Sequence, residues 1–465
     1  MKSPVPESRS SKYRNTVRRI TVFSEATEGC LRSACETGDD LPAEDYLFIS
    51  VFSPVISAFV FYVLNDARKR GFKRLVFCAR DAYLFYEAAK ILGPVTAPDV
   101  ELSYIHVSRY SLRAAEYALS PDDCLDTICL GALDLSFSRM MKRASLSDEE
   151  IKYFAKECGF ERREEDPLDN AQIREIKQRL LNNREFFEAV SQHAGDRLKP
   201  ALDYLKQEGL DKESLRKTKT AIVDSGWIGT VQKSLNKLIG AGEKLEGYYF
   251  GLYSLPKGVS EDSYNSFYFS PGAGVMNLGR KNRFSVCLFE TVCSSPESMT
   301  YGYEYSDGKV IPVTGPEGNP NKDYILRCSG YMKEFSGILA DGIKGDLKNI
   351  HDHDLIWICE ELIKPLMSDP TPEESRAFGK MLFNDDVLPG DDYSLAGKWS
   401  KDDLKKNAFF RKLFIKSGMK DGNLPKSGWP EGSITNSCTG LKRKISLFSE
   451  RASKTVTEIR KTIRE

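Results

Sequence analysis

Apolar positions fall into several distinct patterns along the chain, and the shortest runs are the most informative. Leu75 to Cys78, inside Lys73–Asp81, and Ala221 to Val223, inside Thr220–Gln232, are unbroken apolar stretches without alternation, which predicts strands covered on both faces. Each leads into helical spacing. Ala82–Leu92 follows the first, with Gly93-Pro94 as the predicted stop, and Val231, Leu235, Leu238 and Ile239 follow the second. Val100–Val107 alternates and passes into a predicted helix over Tyr110–Leu119, and the aromatic stretches Leu245–Tyr253 and Asn265–Phe269 add further strands. Strand and helix units in this order predict an α/β fold, a Rossmann-like, mostly parallel sheet.

Other stretches read as helices. From about 145 to 210 the chain is dense in Glu, Lys, Arg and Gln, with Ile173, Ile176, Leu180, Phe186 and Val190 at helical intervals, which predicts a helical insertion with solvated charged faces. Arg283–Cys293 is an apolar helix interrupted by one carboxylate, Glu290, and an acid there needs a partner or a cavity. The Gly and Pro content of Lys309–Asn321 marks a boundary. Beyond it, Tyr324–Leu339, Leu355–Met367 and a segment around Asp402–Ser417 read as helices, then a basic tail from Leu441 with Leu447, Val456 and Ile459 on an amphipathic pattern. The expected divisions are a tail and helix over 1–45, closing in the acidic run Glu36–Asp40, an α/β core over 46–310, and a mainly helical region over 311–465.

Tyr46–Leu64 carries no charge and approaches the roughly 20 residues that cross a bilayer. Ser50, Ser53, Pro54 and Ser57, and the direct passage into the next strand, favour a buried core helix, so membrane association is not expected. The 465 residues include 67 basic and 67 acidic ones, a balance that argues against nucleic acid as a partner. Eleven cysteines without a CxxC pair fit a reducing cytoplasm, and the chain's start lacks the apolar centre of a secretory signal. No metal-ligand pattern is complete: His351-Asp352-His353-Asp354 has nothing nearby to finish a coordination shell.

Chemistry concentrates where the predicted strands end. The segment Asp224-Ser225-Gly226-Trp227-Ile228-Gly229-Thr230 joins a buried strand to a helix. Gly226 and Gly229 allow close backbone approach, Thr230 is a predicted helix cap, and the helix amino terminus offers N–H groups to a phosphate. Arg80 with Asp81 and Ser108 with Arg109 close two other strands. In a parallel sheet these corners share one edge, where Arg80 and Arg109 would neutralise phosphate and Asp224 and Asp81 would contact hydroxyls or Mg²⁺. Glu290 is the third candidate catalytic carboxylate, and Trp227 is a ring-stacking lid or a core anchor. The structural alternative is ion pairing of Arg80 with Asp224, or Asp81 with Arg109.

The blocks VFCARDAYLF (Val76 to Phe85), YIHVSRYSL (Tyr104 to Leu112), VDSGWIGTVQKSL (Val223 to Leu235) and LFETVCSSPES (Leu288 to Ser298) carry a resemblance over about residues 45–305. They resemble the carboxyl-terminal region of a bacterial family catalogued as haloacid-dehalogenase-like predicted hydrolases, often encoded with surface-polysaccharide glycosyltransferases. The family's DxDxT-like nucleophile motif is missing from this sequence, so the hydrolase label does not carry over with these blocks. The loop 224–232 also resembles the ribose-phosphate loop of phosphoribosyltransferases, but is shorter and has Asp224-Ser225 in place of two acids. Together the resemblances imply an enzyme acting on a phosphorylated or nucleotide-activated sugar, among glycan-synthesis proteins. A non-catalytic binding or scaffold protein of the same pathway and a phosphatase are the alternatives.

Overall fold

The computed structural model describes residues 3–35, 40–130, 135–240, 245–272, 274–316, 318–344, 350–384, 388, 392–416 and 424–464; most of the acidic run at 36–40 lies outside them. Strands β1 (Arg74–Cys78), β2 (Glu101–Ile105), β3 (Thr220–Trp227), β4 (Glu246–Leu252) and β5 (Tyr264–Phe269) form one sheet in the order β2-β1-β3-β4-β5. Every pairing is parallel, with Val76 level with Ser103 on one side and Ile222 on the other. Leu75, Phe77, Ala221 and Val223 enter one core while Val76, Cys78 and Ile222 enter another, which is why these runs show no polar alternation.

Helices cover both faces. Ser53–Lys69 and Tyr83–Thr96 lie on the first, joined by Lys322–Ile343 and Asp352–Ser368, so the carboxyl-terminal half shares the main core. Arg109–Glu116, Arg184–Gln207 and Thr230–Ile239 lie on the second. From β1 the chain steps outward to β2 and then returns to place β3 on the other side of β1. The order therefore reverses between β1 and β3, and in open sheets of this kind a crevice opens at the carboxyl ends of those two strands.

The uncharged segment is a core helix, as its serines and Pro54 indicate. Ala43–Lys69 is helical throughout and its most apolar stretch is almost wholly buried, with the Phe59 ring against Phe85, Phe250 and Phe267. Pro54 would press on the carbonyl four residues earlier, and the wider π-helical turn over Phe48–Phe52 lies where that clash falls.

Several boundaries differ from expectation. Gly93-Pro94 does not stop its helix, which continues to Thr96: proline removes one N–H from a last turn that buried Leu92 and Thr96 hold on the core. The helical insertion begins before 145, because Cys124–Ile128 and Phe137–Arg143 join Asp148–Glu157 and Asn170–Leu180 around a separate core containing Phe137, Met140, Phe154, Ile176 and Phe186. The supposed boundary at Lys309 is instead a strand, β7 (Lys309–Thr314), antiparallel to β6 (Thr300–Ser306) and turned by Asp307-Gly308, both at positive φ. The helix expected around Asp402–Ser417 is two, Lys401–Lys406 and Phe409–Lys416.

Candidate functional site

Three chain corners build the site. β1 leaves Cys78 through Ala79, whose peptide bond to Arg80 is cis, into Arg80-Asp81. Beyond β2, Ser108 caps Arg109–Glu116: its Oγ accepts the Ser111 N–H at 2.9 Å and donates to the Thr300 carbonyl at 2.6 Å, which fixes Arg109 at the crevice. β3 runs further than predicted, through Gly226 and Trp227. Gly226, at φ 113°, leaves no room for a Cβ against the Gly251 carbonyl of β4. Trp227 sits at φ 71°, a left-handed conformation that bulky residues seldom adopt and that occurs most at functional sites. Its Nε1 donates to Glu290 Oε1 at 2.6 Å, and its ring packs on Phe284 and Phe289, so it is both a core anchor and a positioner of Glu290.

The corners meet in one cleft of about 440 Å³. Every residue predicted for the site lines it except Gly229, which lies behind, where a Cβ would stand 2.6 Å from the Tyr264 ring. Gly229, not Thr230, is the amino-terminal cap of Thr230–Ile239. Glycine wins there because the position is left-handed, at φ 74°, and no side chain caps the helix. Its first-turn amides and the positive end of its dipole consequently face the crevice without a protein acceptor from a cap.

Ser225 links two of the carboxylates. Its Oγ donates to Asp81 Oδ2 at 2.8 Å, and its backbone N–H donates to Asp224 Oδ1 at 2.8 Å. Burial, with repulsion from Asp81, pushes Asp224 up to about 8. Burial and Asp81 likewise push Glu290 up to about 7, against the opposing pull of Arg109 and the Trp227 hydrogen bond. Two carboxyl groups thus exchange protons near neutrality inside one cleft, the condition for acid and base chemistry.

The structural alternative is not observed: among the described residues no salt bridge joins Arg80 to Asp224 or Asp81 to Arg109, and both guanidinium groups line the open cleft. Three further cations line it that the sequence reading missed, Arg113, Lys233 and Lys257. Arg113 lies one helical turn after Arg109, a spacing that puts both on one face. Its Nη1 is enclosed without a hydrogen-bond partner, and burial pulls the guanidinium down from its ordinary value. Lys233 lies one turn after Thr230, whereas Lys257 sits in the loop after β4, where no pattern marks it. His106 lies outside the cleft lining; its backbone is held by Tyr204 and Tyr303, and burial lowers its imidazole. Among the described residues no three His, Cys, Asp or Glu side chains are grouped to hold a metal, the stacked His351 and His353 included.

No family model matches the chain, and no curated protein matches it. The functional assignment falls to the cleft itself: a crevice at the switch point of a doubly wound sheet, cationic on its walls and protonated within.

Proposed function

We propose that the protein is an enzyme acting on a phosphorylated or nucleotide-activated sugar, with the phosphate seated between the ends of β1 and β3. One observation carries this reading: Arg80, Arg109 and the unpartnered Nη1 of Arg113 converge with an uncapped helix amino terminus on a cleft that also holds Asp81, Asp224 and Glu290. Guanidinium forks and helix amides suit phosphate oxygens. Burial and the charge of Asp81 hold both Asp224 and Glu290 toward the protonated form, Asp224 the more strongly. As the bond to the leaving oxygen breaks, Asp224 gives that oxygen its proton, and ionised Glu290 takes the proton of the incoming hydroxyl as the new bond forms. Asp81, which orders Ser225, is placed to orient a sugar hydroxyl. Were Mg²⁺ to bind with the substrate, Asp81 and Asp224 are the carboxylates that would hold it, and it would supply charge neutralisation for the phosphate.

A place in surface-polysaccharide synthesis, in the cytoplasm beside other glycan-synthesis proteins, rests on the resemblance of the four sequence blocks. The test is a panel of sugar phosphates and nucleotide sugars with Mg²⁺, scored for thermal stabilisation, phosphate release and transfer to an acceptor. Stabilisation with transfer is expected. Stabilisation without turnover makes the cleft a recognition site, phosphate release alone makes the protein a phosphatase, and no stabilisation by any member ends the reading.

A further inference from the structure

The last helix, Gly440–Arg464, is built inside out. At 1.5 Å per residue its 25 residues span roughly 37 Å. Its inner side is polar as well as apolar: beside Leu447, the carboxylate of Glu450 is enclosed, pairs with Lys412 and accepts from Asn407 Nδ2 at 3.0 Å. Lys454 Nζ donates to Glu431 Oε1 at 2.6 Å, and Asn282 Nδ2 donates to Thr455 Oγ1 at 2.7 Å. The outer side is apolar. Leu441, Ile445, Phe448 and Ile459 are exposed by 73%, 59%, 70% and 38%, and at 100° per residue they fall within roughly 60° of one another. Phe410 and Phe414, on the helix Phe409–Lys416 packed beside it, are exposed by 72% and 46%.

This orientation is fixed. Turning the helix to bury Phe448 would expose Leu447 and part Glu450 from Lys412, and Lys454 from the enclosed carboxylate of Glu431, and an unpaired enclosed charge is costly. The charge on the outer side is of one sign. Lys442, Lys444 and Arg460 are exposed beside the apolar strip, Lys461 lies on the opposite side paired with Glu458, and among the described residues of this helix no exposed position is a carboxylate. A second copy of the chain would bring cations against cations, so the face is not complementary to itself. The exposed apolar tips thus gather in the first turns, Leu441 to Phe448, beside Phe410 and Phe414, and a patch of large apolar tips edged by lysine matches a surface that is apolar beneath and anionic above.

We infer that Gly440–Arg464, with Phe410 and Phe414 beside it, docks in the plane of an anionic phospholipid bilayer, with Leu441, Ile445 and Phe448 in the acyl boundary and the flanking cations at the phosphates. This is surface attachment by an exposed face, and it is independent of the cleft and of the buried core helix. The test is flotation of the full chain with phosphatidylcholine vesicles made with or without phosphatidylglycerol. Binding is expected only with phosphatidylglycerol and is lost at high salt. K442Q/K444Q lowers the partition coefficient roughly 25-fold, near fivefold for each charge, and Phe448→Ser lowers it roughly tenfold. Both change exposed side chains, so unchanged melting by circular dichroism shows the fold intact. Three outcomes overturn the inference: no binding to either vesicle, full binding retained by both variants, or a dimer that Phe448→Ser disperses without vesicle binding, which assigns the face to a second copy.

Discussion

Glu450 and Asp224 are both enclosed carboxyl groups, and they titrate in opposite directions. Burial raises each. At Glu450 the charges of Lys412 and Lys454, with hydrogen bonds from Lys412 and Asn407, outweigh burial and hold the carboxyl down at about 2. At Asp224 the neighbouring charge is another carboxylate, Asp81, so repulsion adds to burial and the carboxyl rises to about 8. The first arrangement is complete in itself and anchors a helix. The second leaves cations on the cleft wall and protons on its acids, an unfinished set that a phosphorylated ligand would complete.

The comparison breaks first at Asp224→Asn. If Asp224 is the proton donor, turnover on the substrate identified by the panel falls by about 10²–10⁴-fold while the protein melts at an equal or higher temperature, because an amide enters the enclosed position without having to take up a proton on folding. A variant that turns over at the wild-type rate removes Asp224 from the chemistry. Glu450→Gln should do the reverse, leaving the cleft's ligand binding intact and destabilising the chain by about 3–5 kcal/mol in urea unfolding, since Lys412 stays enclosed without its partner.

The two groups also divide the pH dependence of stability. Between its ordinary value of 3.8 and about 8, folded Asp224 holds a proton that the unfolded chain has released, so stability falls as pH rises through that window and the full loss is present above it. Glu450 has the opposite sign: its ordinary value is 4.5, its contribution is complete above that pH, and it is lost as pH falls toward about 2. Urea unfolding across pH should show Asp224→Asn flattening the neutral limb and Glu450→Gln flattening the acid limb. A neutral limb unchanged in Asp224→Asn would place the rising titration elsewhere.

How much of this was legible follows from how far apart the determining residues lie. The strands and their polar ends could be read because the apolar runs Leu75–Cys78 and Ala221–Val223 are short, doubly covered and closely followed by Arg80-Asp81 and Asp224-Ser225. Convergence of the corners needed only a parallel sheet. Arg113 was overlooked because it sits in a helix interior, where an arginine ordinarily marks a solvated face, although its spacing from Arg109 was visible. The cap at Gly229 was misassigned because Thr is a good cap by type, whereas the left-handed turn beneath Tyr264 depends on a ring 35 residues away in sequence. The amphipathic pattern of the last helix misleads: Leu447 turns inward while Ile459, roughly 120° away around the helix, is exposed, and only the pairing of Glu450 with distant Lys412 decides which side turns inward.

Arg113→Gln sharpens the comparison at the cation side. Its enclosed Nη1 has no partner before ligand arrives, so the substitution removes a charged donor made useful only by binding. Affinity for the stabilising phosphosugar should fall about 10- to 100-fold by titration calorimetry, with melting of the unliganded protein unchanged. A large loss of melting temperature without ligand would make Arg113 a structural residue.

The smallest effect belongs to Trp227→Phe, which keeps an aromatic ring against Phe284 and Phe289 and removes the donor 2.6 Å from Glu290 Oε1. That hydrogen bond favours the ionised carboxylate, so without it Glu290 should titrate above its present value of about 7. A lost hydrogen bond to a charged group is worth about 1.5–3 kcal/mol, and water entering the cleft returns part of it, leaving a shift of roughly one pH unit. The limb of the pH–rate profile that reports the base should move upward by that amount, with kcat at its plateau little altered. A profile that stays in place while the rate falls would mean that Trp227 acts on the substrate directly, as a stacking surface, and that the acids of the cleft are tuned by burial and by one another alone.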